Sequence, residues 1–210
     1  MILAIDTSSA LTSVAAVGGD VVVELAHEDA RRHAEVIAPL LAEVVAQIDV
    51  ADVRLVACGV GPGPYTGLRV GIASAIALGI AWDVPVVGIC SLDALAAEAQ
   101  ASAPGQPVTV ASDARRSEAY WARYSDTGTR VEGPRVSPRA EVAVELGQPR
   151  AVWVARVAER HRGAAITGEV GDLPLDAHGQ DSGATAAALA GAVLLPPRPI
   201  YLRRPDAVGA

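Results

Sequence analysis

Residues 55–60, Leu-Val-Ala-Cys-Gly-Val, form an unbroken apolar run that empties into Gly61-Pro62-Gly63-Pro64-Tyr65-Thr66-Gly67. A helix-length stretch, 67–81, follows directly and is apolar on nearly every side. A run of that kind fits a strand buried on both faces. With a helix immediately behind it, the chain is committed to an α/β sheet layered with helices. The same order recurs at once: residues 84–90 read as a second buried strand and 92–101 as a second helix.

Upstream, residues 2–5, 11–17 and 21–25 are three short apolar runs, the last two split by Gly18-Gly19-Asp20, a hairpin turn signal. They predict an antiparallel meander. Residues 33–48 change period, with Val36, Ile37, Leu40, Leu41, Val44, Val45 and Ile48 at helical spacing. Pro39 inside that stretch predicts a helix that starts late or bends. Residues 103–107, Ala-Pro-Gly-Gln-Pro, read as a linker that divides the chain into lobes 1–102 and 103–210. Beyond it, 108–111, 119–124 and 131–136 read as strands. Residues 139–146 and 184–194 read as helices and 151–157 as a strand; 163–181 show no pattern. The closing segment is expected to pack back on the first lobe.

With 51% hydrophobic and 20% charged residues, the chain can bury a sizeable core and is not a disordered segment. Its net charge of −7 argues against a stand-alone nucleic-acid binder. All 17 basic residues are Arg, so neither a P-loop lysine nor a Schiff-base lysine is available. No apolar run reaches the ~18 residues of a membrane span, and the start, Met1-Ile2-Leu3-Ala4-Ile5-Asp6, reads as a strand and not as a signal peptide. Cys58 and Cys90 fit neither a zinc nor a redox spacing and read as core residues of a reducing compartment. A cytoplasmic protein is expected.

The 61–67 loop admits two readings. Its glycines permit close backbone approach, and the helix behind it favours an anion. Pro62 and Pro64, however, offer no N–H donors, and the spacing matches neither the dinucleotide fingerprint nor the P-loop. A purely structural turn, with Thr66 capping the helix, explains the same residues. Arg69 falls in the first helical turn, where a cation opposes the helix dipole; a partner or ligand would account for it. A helix apolar all round is expected to be buried all round, with one side available to a subunit interface. Asp6 and Asp113 each close an apolar strand; such carboxylates either hold Mg²⁺ beside a nucleotide or cap the turn. His27, Glu28, Asp29 and His33 lack metal-site spacing.

Four segments together resemble the bacterial TsaB (YeaZ) family: Ile2-Leu3-Ala4-Ile5-Asp6-Thr7-Ser8, the loop through Leu68-Arg69-Val70-Gly71, Ser112-Asp113-Ala114-Arg115-Arg116-Ser117-Glu118-Ala119-Tyr120-Trp121, and Tyr201-Leu202-Arg203-Arg204-Pro205-Asp206-Ala207. The resemblance implies an α/β, actin-like ATPase (ribonuclease H-like) fold of two lobes on mixed five-stranded sheets, the second lobe reduced. It implies a non-catalytic subunit that docks on TsaD, with TsaE as a further component. The complex places threonylcarbamoyl on the adenosine beside the tRNA anticodon. It also implies a homodimer when alone, contact with tRNA only through the complex, and no membrane. No cofactor or metal is expected on the isolated chain, with ATP or ADP at the joint with TsaD; Asp6, Thr7, Gly61 and Gly63 are the positions nearest to a nucleotide contact. The partner face is expected on His33, Ile37, Leu40, Leu41 and Val44 of the first helix and on Thr66, Leu68, Arg69, Ile72, Ala73, Ile76 and Ile80 of the second. The family's usual Ser is Pro64 here, and residues 140–195 match little. Two rivals remain: a small actin-fold phosphotransferase using Asp6 and Asp113, and a metallopeptidase, which the missing His-x-x-x-His pair disfavours.

Overall fold

Alternate residues of β1 (Ile2–Asp6) serve two different cores. Leu3 and Ile5 pack with Ile37 and Val44 of α1 (His33–Val45) and with Leu68 and Ile72 of α2 (Tyr65–Trp82). Ile2 and Ala4 face the opposite way, onto Ala151, Val154, Ala155 and Ala158 of α4 (Ala151–Arg160). This period of two is what a strand at the centre of a three-layer α/β/α stack requires. The computed structural model describes residues 1–166, 189 and 193–202.

β1 pairs antiparallel with β2 (Leu11–Gly18), and β2 with β3 (Val21–Glu28), closing the meander. On its other edge β1 runs parallel to β4 (Leu55–Gly59), and β4 to β5 (Val86–Ile89). The result is a five-stranded mixed sheet of order β3-β2-β1-β4-β5. α3 (Ser91–Ser102) follows β5 and packs against α4 and the second sheet. That second sheet is antiparallel and three-stranded, β6 (Val108–Asp113), β7 (Glu118–Tyr124) and β8 (Arg130–Pro138), in that order among the described residues.

Several expectations are corrected. Residues 151–157 form a helix and not a strand. The β-branched valines suggested a strand, but Ala151, Val152, Val154, Ala155 and Ala158 are buried while Arg156 is exposed, which is a helical repeat. The small residues Ala4, Ala15 and Ala57 beneath it belong to the same apolar cluster and let the helix approach the sheet closely. Its first turn is capped from far away: the N–H of Ala151 donates to Ser13 Oγ (2.9 Å) and that of Val152 to Glu24 Oε1 (3.0 Å). Residues 139–146 are not a helix; only a 3-10 turn, Arg139–Glu141, forms there. Of the helix expected at 184–194, residues 184–188 and 190–192 lie outside the described residues, as do those after Leu202; residues 189, 193 and 194 are not helical. α1 starts at His33 and runs through Pro39, which sits on its exposed side.

α2 is the other departure. It is long and apolar enough to cross a membrane by length and composition, contrary to the expectation that no run of the chain reaches that length. It is also not buried all round. Gly67, Leu68, Gly71, Ile72, Ala75 and Gly79 face the sheet, and the opposite side is exposed. Thr66 does not cap it: Pro64 is the N-cap residue, with no side-chain cap bond.

Beyond the linker the chain returns to the first sheet, through α4 and through Leu195, which bridges to Gly88 of β5. Ile200 N–H donates to Val60 O at 2.7 Å.

Candidate functional site

The turn after β1 and the glycine loop after β4 meet at one end of the sheet. Asp6 is fully buried there, and both carboxylate oxygens are engaged. Oδ1 accepts from Ser8 N–H (2.8 Å) and Ser8 Oγ (2.7 Å), and Oδ2 from Ser91 Oγ (3.0 Å). Ser91, at the start of α3, also accepts from Gly61 N–H (3.2 Å), so one hydroxyl ties turn, loop and helix together. Thr7 Oγ1 donates to Gly67 O at 2.8 Å.

Close approach explains the glycines. A Cβ on Gly63 would lie 2.3 Å from Ser8 O, and one on Gly71 2.3 Å from Thr7 Oγ1. The loop and the start of α2 therefore close directly on the β1 turn, Gly63 against Ser8 and Gly71 against Thr7, while Gly61 reaches the Asp6 site through Ser91. Asp113 behaves differently: it is exposed, and its Oδ1 accepts from Arg115 N–H (3.0 Å), closing its own turn. Arg115, Arg116 and Ser117 follow in the left-handed region, at φ 60°, 52° and 60°. No group of three or more His, Cys, Asp or Glu gathers at metal-binding distance among the described residues.

Burial raises the Asp6 pKa from 3.8 to about 6, with the hydrogen bonds from Ser8 and Ser91 acting against it. The folded state then holds this proton more tightly than the unfolded chain. Its contribution to stability is fully present below about pH 4 and is lost as the pH rises through about 6, about 3 kcal/mol in all. Urea unfolding across that range is expected to show the decline in the wild type and a flatter profile in Asp6→Asn. Equal slopes in the two proteins would contradict the buried-carboxyl account.

His33 is buried between β2, α1 and α2. Its Nδ1 lies 2.7 Å from Thr12 Oγ1, and burial lowers its pKa. Burial pushes the thiols of Cys58 and Cys90 up to about 12, as inert core residues require.

Arg69 at the start of α2 is held by aromatic rings. Its guanidinium lies 4.0 Å from the Tyr65 ring centroid, and Tyr65 stacks on Tyr201 with centroids 5.1 Å apart. A hydrogen bond with Tyr201 is the main cause of its raised pKa. These contacts offset the unfavourable helix dipole. From Arg69 an exposed stripe runs along α2 at spacings of three and four: Ala73, Ile76, Ala77 and Ile80. Ile76 is 37% exposed and Ile80 78%.

The family described as TsaD, tRNA N6-adenosine threonylcarbamoyltransferase, matches residues 2–203. TsaB of Escherichia coli, a tRNA threonylcarbamoyladenosine biosynthesis protein, is 34% identical over 125 residues, 59% of this chain and 54% of that protein. The structure of YeaZ from Pseudomonas aeruginosa superposes with a TM-score of 0.65 at 26% identity, covering 77% of this chain and 92% of that one. The chain belongs to the TsaD family, on its TsaB (YeaZ) branch. An uncharacterised protein of Mycobacterium tuberculosis is 41% identical over 216 residues, covering 98% of this chain and 93% of that protein. The actin-like fold expected from the TsaB motifs is the one observed.

Within that fold the expected partner face divides. Thr66, Arg69, Ala73, Ile76 and Ile80 are exposed, and Leu40 and Leu41 are half-buried. His33, Ile37, Val44, Leu68 and Ile72 are corrected: they lie in the interior and offer no surface. Their helical spacing was right, but the sheet needs an apolar stripe as much as a partner does. Sequence reasoning missed Ser91, whose position directly after a buried strand was the available signal, and Tyr201, whose role depends on a distant helix.

Proposed function

We propose that this chain is a non-catalytic subunit in the biosynthesis of tRNA threonylcarbamoyladenosine, docking on a TsaD protein through the exposed face of α2. The observation that carries the reading is the stripe Ala73, Ile76, Ala77 and Ile80, with Ile80 78% exposed on a helix otherwise packed on the sheet. Leaving such a face in water is unfavourable, and a partner relieves it. The same face serves a second copy when TsaD is absent. TsaE completes the assembly, ATP or ADP binds at the joint with TsaD, and tRNA is engaged through the complex, all in the cytoplasm.

The closed β1 turn supports a non-catalytic role. A magnesium ion or a phosphate would need Asp6 oxygens and loop N–H groups free. Those oxygens already accept from Ser8 and Ser91, and the loop glycines contact the turn. The residues present therefore do not fit a nucleotide at that turn in this arrangement.

Reconstitution tests the proposal. Omitting this chain from a reaction containing TsaD, TsaE, threonylcarbamoyl-adenylate and tRNA is expected to abolish transfer, and the chain alone is expected to hydrolyse ATP no faster than buffer. Full transfer without it, or ATP turnover by the chain that Asp6→Ala removes, would overturn the reading.

A further inference from the structure

The outward face of the second sheet holds a groove that the α2 docking face does not use. Along β7, Tyr120, Ala122 and Tyr124 point into the main core, so Trp121 and Arg123 lie on the opposite face. Thr109 of β6 is in register with Arg123, and Ala111 with Trp121. The chain after β8 crosses this face and buries Val142 against Ala111 and Ala119. Between that crossing segment and the strands is a cavity of about 310 Å³, lined by Thr109, Trp121, Arg123, Ser137, Glu141 and residues 142–144.

The chain has no Phe and three Trp. Trp82 and Trp153 pack against the two large core clusters, whereas Trp121 borders this cavity. Its Nε1–H donates to Ser137 Oγ at 3.0 Å, which fixes the indole by its edge. The Arg123 guanidinium lies 5.5 Å from the ring centroid, and Arg123 remains 58% exposed beyond its 3.1 Å contact with Glu132. Arg123 and Glu141 are the charged residues that line the cavity, and Arg135 reaches the Glu132 carboxylate that also contacts Arg123. The volume is at the small end of ligand sites, enough for one nucleotide and too little for a duplex.

We propose that this groove binds a nucleobase carrying a phosphate, as a free mononucleotide or as one unpaired nucleotide of RNA. The base stacks on Trp121, the phosphate pairs with Arg123, and the Glu141 carboxylate accepts from ribose hydroxyls. A fixed aromatic ring beside an arginine is the general chemistry of base stacking with charge recognition. No residue of α2 takes part, so failure here leaves the docking reading standing.

Titration of the full chain with AMP, adenosine and tetra-adenylate RNA, read by tryptophan fluorescence and calorimetry, tests it. AMP is expected to quench part of the emission and to bind more tightly than adenosine. Trp121→Leu, which keeps an apolar side chain against Val142, is expected to abolish the quench and weaken binding by about five- to 150-fold, the equivalent of 1–3 kcal/mol per stacked base. Arg123→Gln, at an exposed position, is expected to equalise AMP and adenosine; it carries the test should Trp121→Leu fail to fold. Tetra-adenylate that binds more tightly than AMP and is displaced by it assigns the site to RNA; AMP binding without the oligonucleotide assigns it to a free nucleotide. No quenching at millimolar ligand, equal affinities of AMP and adenosine for the wild type, or unchanged affinity in a folded Trp121→Leu would overturn the proposal.

Discussion

Arg130→Met is expected to lower the unfolding free energy by about 3–5 kcal/mol. Arg130 of β8 grips Asp93 of α3 with two parallel bonds, Nε to Oδ1 at 2.9 Å and a terminal nitrogen to Oδ2 at 2.7 Å. Tyr124 Oη donates to the same Oδ1 at 2.6 Å, and the second terminal nitrogen of Arg130 donates to Leu189 O at 3.2 Å. The paired side chains are only 7% and 9% exposed. Removing the guanidinium strands a carboxylate in the interior, and the penalty is that uncompensated charge. For a chain of 210 residues the thermal midpoint should fall by about 10 °C. The double replacement Arg130→Met with Asp93→Leu is expected to recover much of the loss, because no buried charge remains. A loss under about 1 kcal/mol in the single variant would mean that the pair does not join α3 to the second sheet as described.

The second large effect concerns association and not folding. Ile76→Glu combined with Ile80→Glu is expected to weaken binding to TsaD at least about 100-fold by calorimetry, since buried interface anchors each contribute about 2 kcal/mol or more. Ile80 is 78% exposed, so Ile80→Glu alone should change the unfolding free energy by no more than about 0.5 kcal/mol and still weaken binding, which separates association from folding. An unchanged dissociation constant with native stability would remove α2 from the interface.

The first 102 residues were largely legible because each element there has one dominant signal. β1, β4 and β5 are short apolar runs ended by polar or glycine turns, and α1 has a clean helical repeat. What the sequence did not disclose is where a neighbour comes from. α2 appeared buried all round because its exposed and buried faces are both apolar, and composition cannot distinguish a sheet contact from an open face. α4 read as a strand because its valines outweighed a short repeat, and its caps, Ser13 and Glu24, are more than a hundred residues away. Two of the TsaB motifs, the β1 turn and the glycine loop, come together at one end of the sheet. They did not show that Asp6 is held by Ser8 and Ser91, because those bonds depend on the meeting of two strands and a helix.

The most direct test of the central claim is light scattering coupled to size exclusion, on the wild-type chain alone and mixed with TsaD from the same source. A dimer that converts into a one-to-one complex is predicted, with the Ile76→Glu, Ile80→Glu protein remaining a monomer in both samples. Two independent peaks in the wild-type mixture would contradict it.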